Sequence, residues 1–391
     1  MTDAEKALRE LLDKVLKERG YKPTEIKIQE ISSGGRNYTS ALFCISLCLP
    51  DKELKLFAKV ANIGQELREV MQADWLYGTE RFVYNRLMHL YNELQKDLNE
   101  EHRFIFPEFY GISEETGKEI VIMENLVASG YETYDRLKSL DWDHGRVGVE
   151  NLAKFHALSF ALQKSDPETF KKITTNMPFR IGDEEQNQSS KDIWIKNDLI
   201  EGPLSVLDEG DRGAVREFVM NSNNTMPKFN KPIDKPVISH GDYRKSNLLF
   251  KGQGDDLQVR VVDYQTVHAG CAVTDLIYFI YLGSDDEFLR LYFDKLANHY
   301  YTSLEEALKR LSVDPVEVYP REQFESDLKE KLPYAVLIGV MLLPVIIADE
   351  ESAPKVNNDE ADISTFIVKT NDLYAQRFRG IVSDCMRRGV L

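Results

Sequence analysis

The 391-residue chain is short of basic charge, of cysteine and of unbroken apolar sequence. It sets 49 lysines and arginines against 65 aspartates and glutamates, a formal net charge of −16. So acidic a chain lacks the basic footprint that binding to a nucleic-acid backbone requires. Any anionic ligand must be met by local cations or metal, because the overall field repels it. There are four cysteines, Cys44, Cys48, Cys271 and Cys385, with no C-x-x-C pair and no His/Cys cluster of zinc spacing. That excludes a disulfide scaffold and a finger-type zinc site. Cys44 and Cys48 lie four apart on an expected strand, so they share a face but cannot bridge. Reduced, buried thiols in a cytoplasmic protein are the expectation. The longest apolar run, Tyr334 to Ala348, is interrupted by Pro344. It falls short of the ~20 residues that a membrane helix needs and reads as a buried helix. The first residues, Met1 to Lys6, are charged and lack an apolar core, which argues against a secretory signal. The sequons at Asn37, Asn187 and Asn223 then count as chance matches.

With 42% hydrophobic and 29% charged residues the composition is that of a soluble globular protein. The length is too great for one small core and predicts two lobes, 1–125 and 126–391.

The densest signal is Ser239 to Gln265, SHGDYRKSNLLFKGQGDDLQVRVVDYQ. Asp242 and Asn247 are separated by four residues, and Asp263 lies sixteen positions past Asn247. Leu248 to Phe250 reads as a strand, Gly252 to Asp256 as a turn, and Leu257 to Val262 as a second strand. Such a hairpin returns Asn247 and Asp263 to the same end of two paired strands. An amide oxygen and a carboxylate are hard ligands suited to Mg²⁺. A second carboxylate, Asp242, can orient an attacking hydroxyl and accept its proton. Each piece alone is an ordinary turn. Together, at the D-x-x-x-x-N spacing and followed by a metal-binding Asp, they match the parts list of ATP-dependent phosphoryl transfer.

Upstream, residues 3–19 carry one apolar face and read as a helix stopped by Gly20. Ile26–Ile31, Ser40–Leu49 and Leu54–Ala61 read as strands. The loop between the first two holds Gly35, Asn37, Tyr38, Thr39 and Ser40, and could offer backbone N–H groups to phosphates, although it lacks a full G-x-G-x-x-G. Lys59, flanked by apolar residues on the third strand, is the candidate for phosphate oxygens. Residues 65–90 read as one helix, with Glu80 the chosen partner for Lys59 and Glu66 and Glu69 the competitors. Phe104–Tyr110 and Glu119–Met123 read as two more strands, and Glu124-Asn125-Leu126 as a hinge. Residues 145–163 form a long helix in which His156 reads as a core histidine. Residues 164–236 read as an inserted helical segment over the site. The carboxylate of Asp275 marks the start of a helix. The remainder is helical, with a loop at 349–362.

These motifs resemble those of the ecdysteroid-kinase-like family, relatives of choline kinases and aminoglycoside phosphotransferases. The resemblance rests on Gly35 to Ser40, Lys59, Glu80 with Tyr84, Met123 to Leu126 with Gly130-Tyr131, Leu152 to Ser159, His240-Gly241-Asp242 with Asn247, and Val262 to Gln265. It implies an α+β, protein-kinase-like bilobal fold with an antiparallel N-terminal sheet and a larger, mainly helical C-terminal lobe. It implies ATP- and Mg²⁺-dependent phosphorylation of a small-molecule hydroxyl, with ecdysteroids as the named substrates. By resemblance Asp242 is the catalytic aspartate, Asn247 and Asp263 hold magnesium, Lys59 holds phosphates, and the backbone at Glu124 to Leu126 holds adenine. The chain departs from the pattern in two places. Arg36 stands where the family often has Glu, and Arg244-Lys245-Ser246-Asn247 where it often has Trp-x-Asn-Asn. A choline- or aminoglycoside-type acceptor, and a catalytically silent binding protein, are the alternative readings.

Overall fold

The computed structural model describes residues 2–31, 40–113, 115–181, 197–221, 223–348 and 368–391. The N-terminal part is a five-stranded antiparallel sheet of β1 (Glu25–Ile31), β2 (Ser40–Cys48), β3 (Glu53–Ala61), β4 (Phe109–Ser113) and β5 (Ile120–Glu124). Their spatial order is β1-β2-β3-β5-β4. The period of two explains its sidedness. Ala41, Phe43, Ile45 and Leu47 of β2 and Leu56, Ala58 and Val60 of β3 are all buried on one face. That face packs against Leu8, Leu12, Val15 and Leu16 of the first helix, Asp3–Glu18. Thr2 caps this helix, its Oγ1 accepting from Glu5 N at 3.2 Å. Lys55, Phe57 and Lys59 alternate onto the opposite face, and it is this face that meets the rest of the chain.

Two N-terminal expectations are corrected. The single helix over 65–90 is three helices, Gln65–Val70, Ala73–Phe82 and Met88–Leu94, with a π turn at Val83–Leu87. The first break comes at Gln72, which adopts φ 50°, a conformation that no Gly or Pro announces in the sequence. The strand expected over 104–110 pairs only from Phe109. Before it, the side-chain amide of Gln95 takes both backbone groups of Phe104, with N to Oε1 at 2.9 Å and Nε2 to O at 2.7 Å. A buried amide thus replaces a neighbouring strand.

The C-terminal part is mainly helical. The helices Trp142–Ser165 and Asp286–Arg310 pack on one another and on Ala272–Gly283, every residue of which is buried. The expected buried helix after Lys331 runs Tyr334–Met341 and resumes at Leu343–Ile346, interrupted beside Pro344. Small strands frame the centre. The expected hairpin of β8 (Leu248–Lys251) and β9 (Gln258–Val261) forms one sheet with β6 (Glu132–Thr133), and β7 (Val237–Ser239) pairs with β10 (His268–Gly270); β6, β7 and β10 are too short for periodicity to reveal. The inserted segment supplies the helices Pro167–Asn176, Asn197–Leu204, Glu209–Met220 and Met226–Asn230. Among the described residues no helix is long and apolar enough to cross a membrane.

Candidate active site

The β8–β9 hairpin makes the first half of the site. Leu248 pairs with Val261, and Val262 N donates to Asn247 O at 3.0 Å. Asn247 and Asp263 therefore leave the hairpin at the same end. Asp263 sits at φ 69°, a conformation that L residues rarely hold without some external constraint. Its carboxylate is fixed across the cleft, with Oδ1 accepting from Lys59 Nζ at 2.8 Å.

Lys59 reaches this position because β3 is the central strand and its odd-numbered face looks into the cleft. Its Nζ also donates to both oxygens of Glu80, at 3.2 and 3.1 Å. Glu80 is 1% exposed, so Lys59 is shared between two carboxylates out of water. Glu69 is exposed and accepts from Gln65 Nε2 at 2.7 Å; the side chain of Glu66 lies outside the described residues. Burial alone would lower the Lys59 pKa, but Asp263 and Glu80 push it well up. Burial opposes ionisation of Asp263 too, yet Lys59, with smaller help from Arg244 and His240, holds it below the usual carboxylate value. Glu80 goes the other way, raised by burial against the pull of Lys59. One cation between two carboxylates thus favours Asp263.

The second half of the site is the loop after β7. Gly241, at φ 81°, turns the chain so that Asp242 faces the cleft. A Cβ at Gly241 would penetrate the Thr266 carbonyl oxygen. Asn247 Nδ2 donates to Asp242 Oδ2 at 2.9 Å and to its carbonyl at 3.0 Å. Arg244 Nε lies 3.1 Å from each carboxylate oxygen, and the Tyr278 hydroxyl donates to Oδ1 at 2.7 Å. The loop itself is braced from below by Asp275. That carboxylate, expected to mark the start of its own helix, instead accepts the N–H groups of His240 and Gly241 at 2.6 and 2.8 Å. The sequence signal was correct for a helix end, but the chain folds the acid toward the neighbouring loop. His156 is a core histidine: it is fully buried, its Nε2 is 3.1 Å from Asp275 Oδ2, and its Nδ1 is 2.7 Å from the Tyr300 hydroxyl.

Of the expected phosphate-loop residues, Gly35, Asn37, Tyr38 and Thr39 lie outside the described residues. Ser40 opens β2 with its hydroxyl 3.2 Å from that of Tyr77. Glu124 ends β5. Its N–H is bonded to Glu108 O, and its Oε2 accepts from Glu108 N at 2.9 Å. The Leu126 carbonyl accepts from Ser129 and Tyr131. A cavity of about 530 Å³ lies between the helices Ala73–Phe82 and Pro167–Asn176, lined by Trp75, Phe82, Ile173 and Met177 among others. It holds none of Lys59, Asp242, Asn247 or Asp263, and backs the helix carrying Glu80. The sequence pattern did not point to Tyr278; its position one turn past Asp275 was the available signal.

A lysine locked to a buried glutamate beneath an antiparallel sheet, facing one aspartate beyond a hairpin and another paired with an asparagine, is the constellation of a kinase-class phosphotransferase. A model of the Ecdysteroid kinase-like family matches residues 34–313, and the chain belongs to that family of small-molecule kinases. No curated protein matches the chain. Among solved structures, that of the microcompartment-associated aminopropanol kinase is similar over 97% of this chain and 98% of its own, with 10% identity and a TM-score of 0.46.

Proposed function

We propose that the protein transfers the γ-phosphoryl group of ATP, with Mg²⁺, to a hydroxyl of a bulky, mostly apolar alcohol, an ecdysteroid being the leading candidate. The observation that carries the reading is the convergence of Lys59, Glu80 and Asp263 opposite the Asp242–Asn247 pair. We place the nucleotide-binding lobe at 1–125 and the catalytic lobe at 126–391.

The donor set fits magnesium. Both bonds from the Asn247 side chain leave through Nδ2, so its Oδ1 is the atom to face a cation beside Asp263. Among the described residues no group of three or more His, Cys, Asp or Glu could hold a metal ion. Two oxygen ligands, completed by phosphates and water, are what Mg²⁺ uses in kinase sites and what Zn²⁺ does not. The ion, when bound, would neutralise phosphate charge. Lys59 then has a triphosphate to hold while Glu80 keeps it in place. Asp242 receives the acceptor hydroxyl and its proton. The Glu124 carbonyl and the Leu126 N–H supply an edge for adenine, and by sequence Gly35, Asn37, Tyr38, Thr39 and Ser40 are assigned to the phosphates.

The neutral-alcohol reading is favoured over a choline or aminoglycoside acceptor by Arg244. A fixed guanidinium against Asp242 repels a cationic acceptor. The other polar groups on Asp242 are a phenol and an amide, Tyr278 and Asn247. Such groups orient one hydroxyl of an apolar molecule. The test incubates pure protein with ATP, Mg²⁺ and a library of steroid, simple and amino alcohols, and looks by mass spectrometry for products heavier by about 80 Da, the phosphoryl increment. A phosphorylated ecdysteroid is expected. Efficient phosphorylation of choline with no steroid turnover would replace the acceptor assignment, and ATP bound but never consumed would favour the silent binding protein.

A further inference from the structure

We propose that Arg244 is a catalytic residue of this site, its guanidinium holding the phosphoryl group in passage from ATP to the acceptor oxygen. The proposal rests on the kinase reading above and names a group outside its Asp–Asn–Asp–Lys set.

The geometry of the loop singles out Arg244. It sits in extended backbone, φ −121° and ψ 156°, immediately before the short 3₁₀ turn Lys245–Asn247 that brings Asn247 back to Asp242. Its neighbour Lys245 cannot serve the cleft. Lys245 is 3% exposed and its Nζ donates to the carbonyls of Lys138 and Gly283 beneath the loop. Arg244 points the other way, with its side chain 25% exposed. Among the described residues its hydrogen bond leaves through Nε alone, to Asp242. A guanidinium carries five donors in a planar fork, so the N–H groups of both Nη atoms remain to meet a ligand.

Arg244 lies against the Asp242 carboxylate, and the charge of Asp263 also acts on it. Burial works against the charge of Arg244, and Asp242, Tyr278 and Asp263 restore it. Asp263 in turn is lowered in part by Arg244. Lys59 is already divided between Glu80 and Asp263, whereas Arg244 spends one N–H on Asp242. In phosphoryl transfer, charge spreads over the three equatorial oxygens of a loosely held group, and a planar, always-charged fork matches that shape better than an ammonium.

The step balances without a further reactant. The acceptor oxygen forms a bond to the γ-phosphorus. The bond from that phosphorus to the β,γ-bridging oxygen breaks, and its electron pair leaves with ADP. The hydroxyl proton passes to the Asp242 carboxylate. Arg244 donates hydrogen bonds and keeps its protons.

The competing role for Arg244 is to steady Asp242 only. The two roles separate in measurements that need no identified acceptor: binding of Mg·ADP with and without aluminium fluoride, which mimics the phosphoryl group in flight, and the slow hydrolysis of ATP with water as acceptor. Wild type, Arg244→Gln, Arg244→Lys and Arg244→Gly are compared, with thermal midpoints confirming that each is folded. Arg244→Gln should weaken the aluminium fluoride complex by ~100-fold or more, in the range of a lost transition-state cation, while Mg·ADP affinity changes by less than about 3-fold. Arg244→Lys should fall between. Added guanidinium should restore part of the hydrolysis of Arg244→Gly. A fluoride-complex affinity unmoved in Arg244→Gln, or lost only in proportion to Mg·ADP, overturns the assignment while leaving the kinase reading standing. Wild-type protein that binds neither Mg·ADP nor Mg·ATP overturns the kinase reading and Arg244 with it.

Discussion

At the scale of single residues the site is a set of buried or half-buried charges, each held by specific partners. Asp242 accepts from Tyr278, Arg244 and Asn247, so three of its roughly four lone-pair positions are used and one remains for an acceptor hydroxyl. Asp242→Asn keeps the shape and removes the proton acceptor. Turnover should drop by ~10²-fold or more with ATP affinity little changed, the pattern of a lost general base; near-normal turnover would move the hydroxyl-positioning role elsewhere. Asp275 is the structural counterpart. It is 2% exposed and takes two backbone N–H groups plus His156. Asp275→Asn puts an amide donor against donors and should cost about 2–4 kcal/mol in urea unfolding, the range for breaking buried charge-assisted bonds. Wild-type stability in that variant would show that the loop is braced by other contacts. That Asp242, Asn247, Asp263 and Lys59 should converge was legible in the sequence, because residue type and spacing carry it. Asp275 and Tyr278 were visible as residues, but their contacts with the loop were not. Those contacts join elements about 35 positions apart, and no local pattern encodes such a meeting. The choice of Glu80 over Glu66 and Glu69 likewise depended on which helical turn faces β3, and the break at Gln72 decides that.

At the scale of elements, the loop carrying Asp242 is a turn that only glycine can make. Gly241 combines positive φ with a backbone oxygen where a Cβ would go. Gly254, at φ 55° in the β8–β9 turn, has open space around it. The contrast gives a paired prediction. Gly241→Ala should lose turnover severely and destabilise by at least about 2–3 kcal/mol, from φ strain added to overlap with unyielding backbone. Gly254→Ala should cost about 1 kcal/mol from φ alone and leave turnover intact. Equal effects would mean that the loop shifts to accommodate the methyl group. The elements themselves were read well where the period was strong. The first helix, β1 to β3, the hairpin after Asn247 and the long helix around His156 lie within a few residues of expectation. They failed where a side chain stood in for secondary structure, as Gln95 does for a strand partner, or where strands of two or three residues are too short to show a period, as in β6, β7 and β10.

At the scale of the whole molecule, the sheet and the helical remainder share one apolar core, and the buried titratable groups set within it should shape the acid limb of stability. His240 and His268 lie in the loop and strand that carry and flank Asp242, 1% exposed each. Burial pulls the pKa of both below the ordinary 6.5. Their bonding fits neutral rings. The His240 Nδ1 accepts from Asp242 N at 3.3 Å, and the His268 Nδ1 donates to Thr266 O at 3.0 Å, while its ring packs on Phe179. A histidine with a depressed folded pKa binds its proton more readily when unfolded. Its contribution is therefore complete above about pH 6.5 and is lost as pH falls from there toward the folded value. Lys245, pulled down to about 7 by burial, has the same sign but a higher window, losing stability between the ordinary lysine value and about 7. Asp263 and Asp275, both lowered, contribute fully above the ordinary carboxylate range and lose that contribution only as pH falls below it. Between pH 6.5 and about 5 the histidines should thus lower stability, each by up to about 1.4 kcal/mol per pH unit, against the opposite slope of Glu80, whose pKa burial raises. Urea unfolding of the protein across that interval should show stability falling steeply with acid. His268→Gln, away from the reacting groups, should flatten the slope by about one proton's worth, even if its absolute stability is lower throughout. A slope unchanged in that variant would mean that His268 is protonated in the folded protein, and that the contact between β7 and β10 tolerates a charge.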